Sequence, residues 1–162
     1  MRVLIISDSH GYDENFFKIL EETGEPDFLI HCGDSHGHED VYRRAVNCRF
    51  MIVAGNNDFY LGSKVRDEEE FDIGPHHVFL THGHRYKVYY DNQKIVDAAK
   101  ARGADIVMFG HTHRPVVTLQ KGILMVNPGS LTYPRQEGRR PSYIVMKLED
   151  DDPDASFEIK YL

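Results

Sequence analysis

Five times this chain runs through three to five apolar residues and then breaks at once into a polar turn. Val3-Leu4-Ile5-Ile6 gives way to Ser7-Asp8-Ser9-His10-Gly11, Phe28-Leu29-Ile30 to His31-Cys32-Gly33-Asp34, and Phe50-Met51-Ile52-Val53-Ala54 to Gly55-Asn56-Asn57-Asp58. Val78-Phe79-Leu80 then leads to Thr81-His82-Gly83-His84, and Ile106-Val107-Met108-Phe109 to Gly110-His111-Thr112-His113. Short apolar runs without polar alternation read as strands buried on both faces, the kind found inside a parallel sheet. Ligands bind outside the carboxyl ends of such strands, and here those ends carry carboxylates, imidazoles and amides. Taken alone, Asp8 and His10 read as a surface turn, with Asp8 capping the next helix. Recurrence overturns that reading: if the five strands lie side by side and parallel, their loops converge on one rim.

Between the runs, helical spacing appears three times. Phe16, Phe17, Ile19 and Leu20 share a face in 12–23, ended by Gly24-Glu25-Pro26; Val41, Tyr42 and Ala45 point inward from 39–46; Ile95, Val96, Ala98 and Ala99 do so from 91–102, ended by Gly103. In 61–75, Lys64-Val65 and Glu70-Phe71-Asp72-Ile73 alternate as a solvent-edged strand does, which predicts a β insertion. Beyond His113 helices disappear. Strands are expected over 116–119, 123–126, 142–148 and 157–161, with turns at Lys121-Gly122, Asn127-Pro128-Gly129 and Asp152-Pro153-Asp154. The reading is one α/β domain over 1–162, made of two packed sheets with helices outside.

The residues at the rim form a ligand inventory. Asp8, His10, Asp34, Asn56, His82, His111 and His113 supply two carboxylates, one amide oxygen and four imidazoles. That is too many for one ion and suits two divalent ions roughly 3.5–4 Å apart, as in phosphatases and nucleases. The mixed nitrogen and oxygen set points to Mn²⁺ first, with Ni²⁺, Zn²⁺ or Fe as alternatives, rather than Mg²⁺ alone. Cys32 and Cys48 are too few for a disulfide framework and read as small packed residues, so a reducing cytoplasm is the expected compartment. The net charge of −7, with acidic clusters at 67–70 and 149–152, argues against bulk binding to nucleic acid or an anionic membrane. A local cationic site for phosphate stays compatible with it.

Asp8-Ser9-His10, Gly33-Asp34, Gly55-Asn56-Asn57-Asp58, His82-Gly83-His84 and Gly110-His111-Thr112-His113, in that order, resemble the five motifs of the calcineurin-like metallophosphoesterases. Asn127-Pro128-Gly129-Ser130 with Pro134-Arg135 is similar to the small YfcE-like phosphodiesterase subfamily. The resemblance implies a four-layer α/β/β/α sandwich of two mixed sheets flanked by helices, with a dinuclear centre. By motif position it implies Asp8, His10 and His113 on one ion, Asn56, His82 and His111 on the other, and Asp34 bridging. It implies hydrolysis of a small phosphoester, more readily a phosphodiester, by a hydroxide generated between the ions. A phosphomonoesterase acting on a small metabolite is the alternative. So is an interaction scaffold, since a eukaryotic protein of similar fold serves in a trafficking coat.

One position departs from the larger members of that superfamily, which carry a histidine directly after the ligand asparagine. Asn57 stands there. It can donate a hydrogen bond to phosphate but cannot act as a general acid, a loss that typically costs about 10²–10⁴-fold. The expected enzyme does best with leaving groups that need little protonation.

Other residues keep two readings. His36, His38 and His84 contact either ligands or substrate, and His36 is a candidate catalytic group with Asn57 and Asp58. Asp58 orients a neighbour or caps a turn. Arg135 clamps a phosphate, as its planar fork allows, or pairs with the acidic surface. His31 reads as a satisfied structural histidine, and His76-His77 as a solvated turn. Tyr86, Tyr89 and Tyr90 are packing residues by default, with a substrate wall or a homo-oligomer contact as alternatives.

Overall fold

A computed structural model describes residues 1–149 and 154–162. The element order is β1 (Arg2–Ile6), α1 (Glu14–Thr23), β2 (Phe28–His31), α2 (Glu39–Ala45), β3 (Arg49–Ile52), α3 (Asn56–Tyr60), β4 (Glu68–Ile73) and β5 (His76–Thr81). A 3₁₀ turn (His84–Tyr86) follows, then α4 (Gln93–Ala101), β6 (Ile106–Met108), β7 (Pro115–Gln120), β8 (Ile123–Pro128), β9 (Ser142–Lys147) and β10 (Ser156–Tyr161). The strands form two mixed five-stranded sheets, ordered β10-β9-β1-β2-β3 and β4-β5-β6-β8-β7.

The five apolar runs therefore do not lie in one sheet: three build the first and two the second. The C-terminal strands divide as well, because β7 and β8 extend the second sheet while β9 inserts antiparallel beside β1. Within 61–75 only β4 is a strand, an edge paired antiparallel with β5; Lys64-Val65 lies outside it. His76 and His77 are not in a turn. They open β5 and hydrogen-bond Asp105 and Asp72. The turn expected at Asp152-Pro153-Asp154 includes positions outside the described residues. No helix among the described residues is long and apolar enough to cross a membrane.

Strand periodicity explains the layering. Val3 and Ile5 of β1 point into the core between the sheets, with Phe28, Ile30, Val78, Leu80, Ile106 and Ile144. Leu4 and Ile6 point the other way, against Phe16 and Ile19 of α1 and Tyr42 of α2. Helix α4 covers the far sheet, setting Ile95, Val96 and Ala99 on Phe79, Val107 and Met125. Three apolar interfaces thus separate four layers. All four residues Val3–Ile6 are at most 3 % exposed, and each such side chain contributes roughly 1.5–3 kcal/mol by burial. That burial fixes the strand ends, and through them the loops that follow.

Candidate metal centre

The loops after β1, β2, β3, β5 and β6 meet at one end of the two-sheet core. Backbone bonds lock neighbouring loops together: Asp8 N–H donates to Gly33 C=O (3.0 Å), His10 N–H to Asp34 C=O (2.9 Å) and Gly110 N–H to His82 C=O (3.2 Å). Two of the bonds here cross between the sheets. His111 N–H donates to Asp8 Oδ2 (3.1 Å), and His82 Nδ1–H donates to Cys32 C=O (2.8 Å). From the C-terminal side, Ser130 Oγ donates to Asp8 C=O and Thr132 Oγ1 to Ser9 C=O, each at 2.8 Å.

Asp8, His10, Asp34, His36, His111 and His113 all have left-handed backbone, with φ between 51° and 67°. Non-glycine residues seldom adopt this conformation, and it is paid for by surrounding bonds at functional sites. Its effect here is to turn side chains off the strand direction and toward one point. No residue type signals this in the sequence.

The side chains form two tight groups. Ligand atoms of Asp8, His10 and His113 lie within 4.8 Å of one another, as do those of Asp8, Asp34 and His82. Asp8 Oδ1 lies 3.0 Å from His113 Nε2 and 3.9 Å from Nε2 of both His10 and His82; Asp34 Oδ2 lies 3.4 Å from His82 Nε2. Hydrogen bonds set the tautomers. His82 donates through Nδ1 to Cys32 C=O, and His113 through Nδ1 to Tyr133 C=O (2.6 Å), so each turns Nε2 inward. His10 Nδ1 and His36 Nε2 are 3.1 Å apart; with His10 as donor its Nε2 also faces the group. Asn56 Oδ1, Asp8 Oδ1 and His82 Nε2 are buried without a hydrogen-bond partner, as is Nδ1 of His84 beside them. A buried unpaired polar atom costs about 1–3 kcal/mol. Carboxylate, amide and imidazole groups left without a partner together are what a divalent cation requires, so the donor set fits the divalent metal expected from sequence.

Charge coupling inside the group is strong. Burial penalises the His82 imidazolium, yet the Asp8 and Asp34 carboxylates outweigh it and raise its pKa to about 9. Burial and then the His82 charge lower His111 to about 4. Asp34, despite burial, is held well below the usual carboxylate range by His82 and by two bonds from Asn57, N–H to Oδ1 (2.9 Å) and Nδ2 to Oδ2 (2.6 Å). At pH 7 the metal-free protein thus carries His82 protonated and His111 neutral. A cation must displace the His82 proton, so its affinity should rise about tenfold per pH unit from 7 toward 9 and level off above. Calorimetry in buffers of different ionisation enthalpy should detect at least one proton released per chain near pH 7; none released would contradict this charge state.

The other expected site residues sit around this group. Asp58 is 1 % exposed, and its carboxylate accepts from the N–H groups of Ser35, His36 and Gly55 and from Ser35 Oγ, leaving it no free face. His36 touches His10, whereas His38 bonds Asp13 (2.7 Å). His31 is buried between loops, with Nδ1 accepting from Gly33 N–H and Nε2 facing Ser9 Oγ (3.1 Å). Tyr42, read only as a packing residue, donates to Ser9 or Asp13, which lie 2.7 and 2.6 Å from its hydroxyl, and so braces the first loop. Arg135 is exposed beside the group, its guanidinium 6.0 Å from the Tyr89 ring centre. Tyr86 bonds Glu68 and packs on Phe79, while Tyr90 is exposed.

Comparison with known proteins bears on the chain as a whole. Residues 1–151 match the family model of the calcineurin-like phosphoesterase superfamily domain. A probable metallophosphoesterase of Bacillus subtilis, YsnB, is 38 % identical over 152 residues, covering 93 % of this chain and 86 % of the relative. A protein of Methanocaldococcus jannaschii named as a phosphodiesterase is 28 % identical over 145 residues, covering 80 % and 83 %. The crystal structure of a conserved Streptococcus pneumoniae protein, described as a predicted phosphoesterase, superposes with a TM-score of 0.80 at 27 % identity, covering 99 % of this chain and 88 % of that one.

Proposed function

Because this chain belongs to the calcineurin-like phosphoesterase superfamily, we propose that it is a phosphodiesterase whose two divalent ions are held by the seven residues at the convergent loop ends. Asp8, His10 and His113 hold one, Asn56, His82 and His111 the other, and Asp34 stands between them. The observation that carries this reading is the set of buried polar atoms without a hydrogen-bond partner, Asp8 Oδ1, Asn56 Oδ1 and His82 Nε2, delivered by loops from both sheets. A scaffold gains nothing from their cost. When bound, two such ions, Mn²⁺ first among them, supply charge that polarises a phosphoryl oxygen and makes water acidic enough to attack phosphorus in line near neutral pH.

The protein's own residues supply position. Asn57 donates twice to Asp34, from its backbone N–H and from its side-chain Nδ2, and so fixes the carboxylate. Asp58 ties the loops after β2 and β3 together and acts by positioning. His36 holds the His10 ring, and His84 packs its ring 5.4 Å from that of His82 and 6.1 Å from that of His111. None of these replaces the missing general acid at 57. The M. jannaschii relative's name favours the diester reading over a monoester one.

The test is to strip metal with chelator, reload Mn²⁺, Ni²⁺, Zn²⁺ or Mg²⁺, and assay an aryl diester, an alkyl diester and an aryl monoester. We expect activity restored by metal and an aryl-over-alkyl ratio of about 10² or more, since an alkoxide leaving group needs the absent proton donor. No turnover with any ion would sink the enzyme reading. Equal rates on the two diesters would sink the leaving-group argument alone.

A further inference from the structure

Beside the His10 and His113 side of the centre lies an open cleft of about 610 Å³, lined by Arg114, Thr132, Tyr133, Pro134, Arg135 and Arg139. Three arginines meet there on a chain whose net charge is −7. Of the other arginines, Arg66, Arg85 and Arg102 pair with carboxylates, Arg2 and Arg140 donate to backbone carbonyls, and Arg43 and Arg49 lie over aromatic rings. Among the described residues, Arg114, Arg135 and Arg139 pair with none, and Glu137 in the same loop makes no ion pair. The cleft is built onto the centre. Arg135 N–H donates to His113 C=O (3.0 Å), Arg114 Nε–H to Arg135 C=O (3.3 Å), and Tyr133 both accepts from His113 Nδ1 and sets its ring 5.2 Å from that of His10.

The ions that the seven-residue group would hold would already supply cationic charge for the scissile phosphate. Three further guanidiniums, displaced to one side and unpaired, suit a second anionic group on the same molecule, because each presents a planar donor fork to phosphate oxygens. The cleft has room for a nucleotide-sized moiety. A smaller pocket of about 180 Å³ shares Arg114 and adds Val88, Tyr89 and Phe109, an apolar and aromatic lining for a base or aryl ring. We propose that the substrate is a small diester bearing a second, terminal phosphate, and that Arg114, Arg135 and Arg139 bind that phosphate. This rests on the phosphoesterase reading above and narrows it.

The probes are a thymidine dinucleotide with and without a 5′-phosphate. With Mn²⁺-loaded protein, kcat/KM should favour the phosphorylated form by about thirtyfold, and Arg139→Ala and Arg114→Ala should each reduce that ratio about five- to tenfold. Arg139→Lys should retain part of it. The second readout is equilibrium binding of the same two dinucleotides to chelated protein, where the 5′-phosphate should tighten binding about tenfold in the wild type and less in either variant. Circular dichroism confirms that each variant is folded, and having two separate positions keeps the test alive if one is not. A ratio near one in both readouts overturns the proposal and leaves the phosphodiesterase standing. An equal loss on both dinucleotides in the variants also overturns it, because the arginines would then serve the scissile phosphate. No hydrolysis of any diester together with a preserved binding preference would sink the catalytic reading and uphold the anion cleft.

Discussion

Asp8→Asn should lower turnover by about 10³-fold or more while leaving the fold in place. The substitution is nearly isosteric, and the new amide can keep the two bonds the carboxylate accepts at Oδ2, from Ser7 Oγ (2.6 Å) and His111 N–H (3.1 Å). The other atom matters. Oδ1 is fully buried, unpartnered and common to both ligand groups, so an NH₂ there would point a donor at the inward nitrogens of His10, His82 and His113. Removing the Asp8 charge takes a ligand from one cation position and a nearby negative charge from the other, and metal ions contribute several kcal/mol of transition-state stabilisation, which corresponds to three or more powers of ten in rate. The check pairs steady-state kinetics with metal content per chain. Fewer than two ions bound and a loss of that size are expected; activity within tenfold of wild type would show that Asp8 does not hold metal.

Gly55→Ala should be the most damaging small substitution in the site. Gly55 has an ordinary extended backbone, φ −89° and ψ 179°, so conformation does not demand glycine. Space does. An added Cβ would lie 2.1 Å from Asp34 Oδ1 and 2.5 Å from Asp34 N, and the backbone atom cannot move without dragging the loop after β2. Overpacking of this kind costs about 1–3 kcal/mol, and with a rigid neighbour the upper end applies, a fall in Tm of about 6–12 °C for a chain of this size. Metal binding should fall with it because Asp34 is displaced. Gly37→Ala is the comparison: its φ of +80° is unfavourable to alanine but nothing lies within 4 Å, so it should cost about 1 kcal/mol and leave metal affinity alone. Thermal denaturation of both variants, with and without metal, separates crowding from conformation; equal losses would refute the spatial argument.

The strands and their polar ends were legible because both signals are local. An unbroken run such as Val3–Ile6 needs no partner to be recognised, and Asp8, His82 or His111 is a conspicuous residue to find at such an end. Which sheet each strand joins was not legible, because β1 pairs with β9 across most of the chain and no local pattern encodes that. Helix α3 escaped for a different reason. Asn56-Asn57-Asp58 reads as a turn by composition, and five residues are too few to show a helical period. The left-handed backbone at Asp8, Asp34, His111 and His113 was invisible because its cost is met by tertiary bonds rather than by glycine. Asp58 stands out in its motif, but its four incoming bonds depend on two loops meeting. Its bracing role had no sequence signature beyond its place in the motif.

The insertion of β9 beside β1 carries a consequence for how the molecule comes together. Val3 pairs with Met146 and Leu4 with Val145, contacts of very long sequence separation whose loop-closure entropy must be met before they return any stability. Every proposed metal ligand lies between Asp8 and His113, so a growing chain that has reached β8 already holds all seven. It still lacks Ser130 and Thr132, which hold the Asp8 and Ser9 carbonyls, and the strand that flanks β1. The centre is thus complete in composition well before it is complete in shape, and the segment after β8 acts as the clasp that closes it.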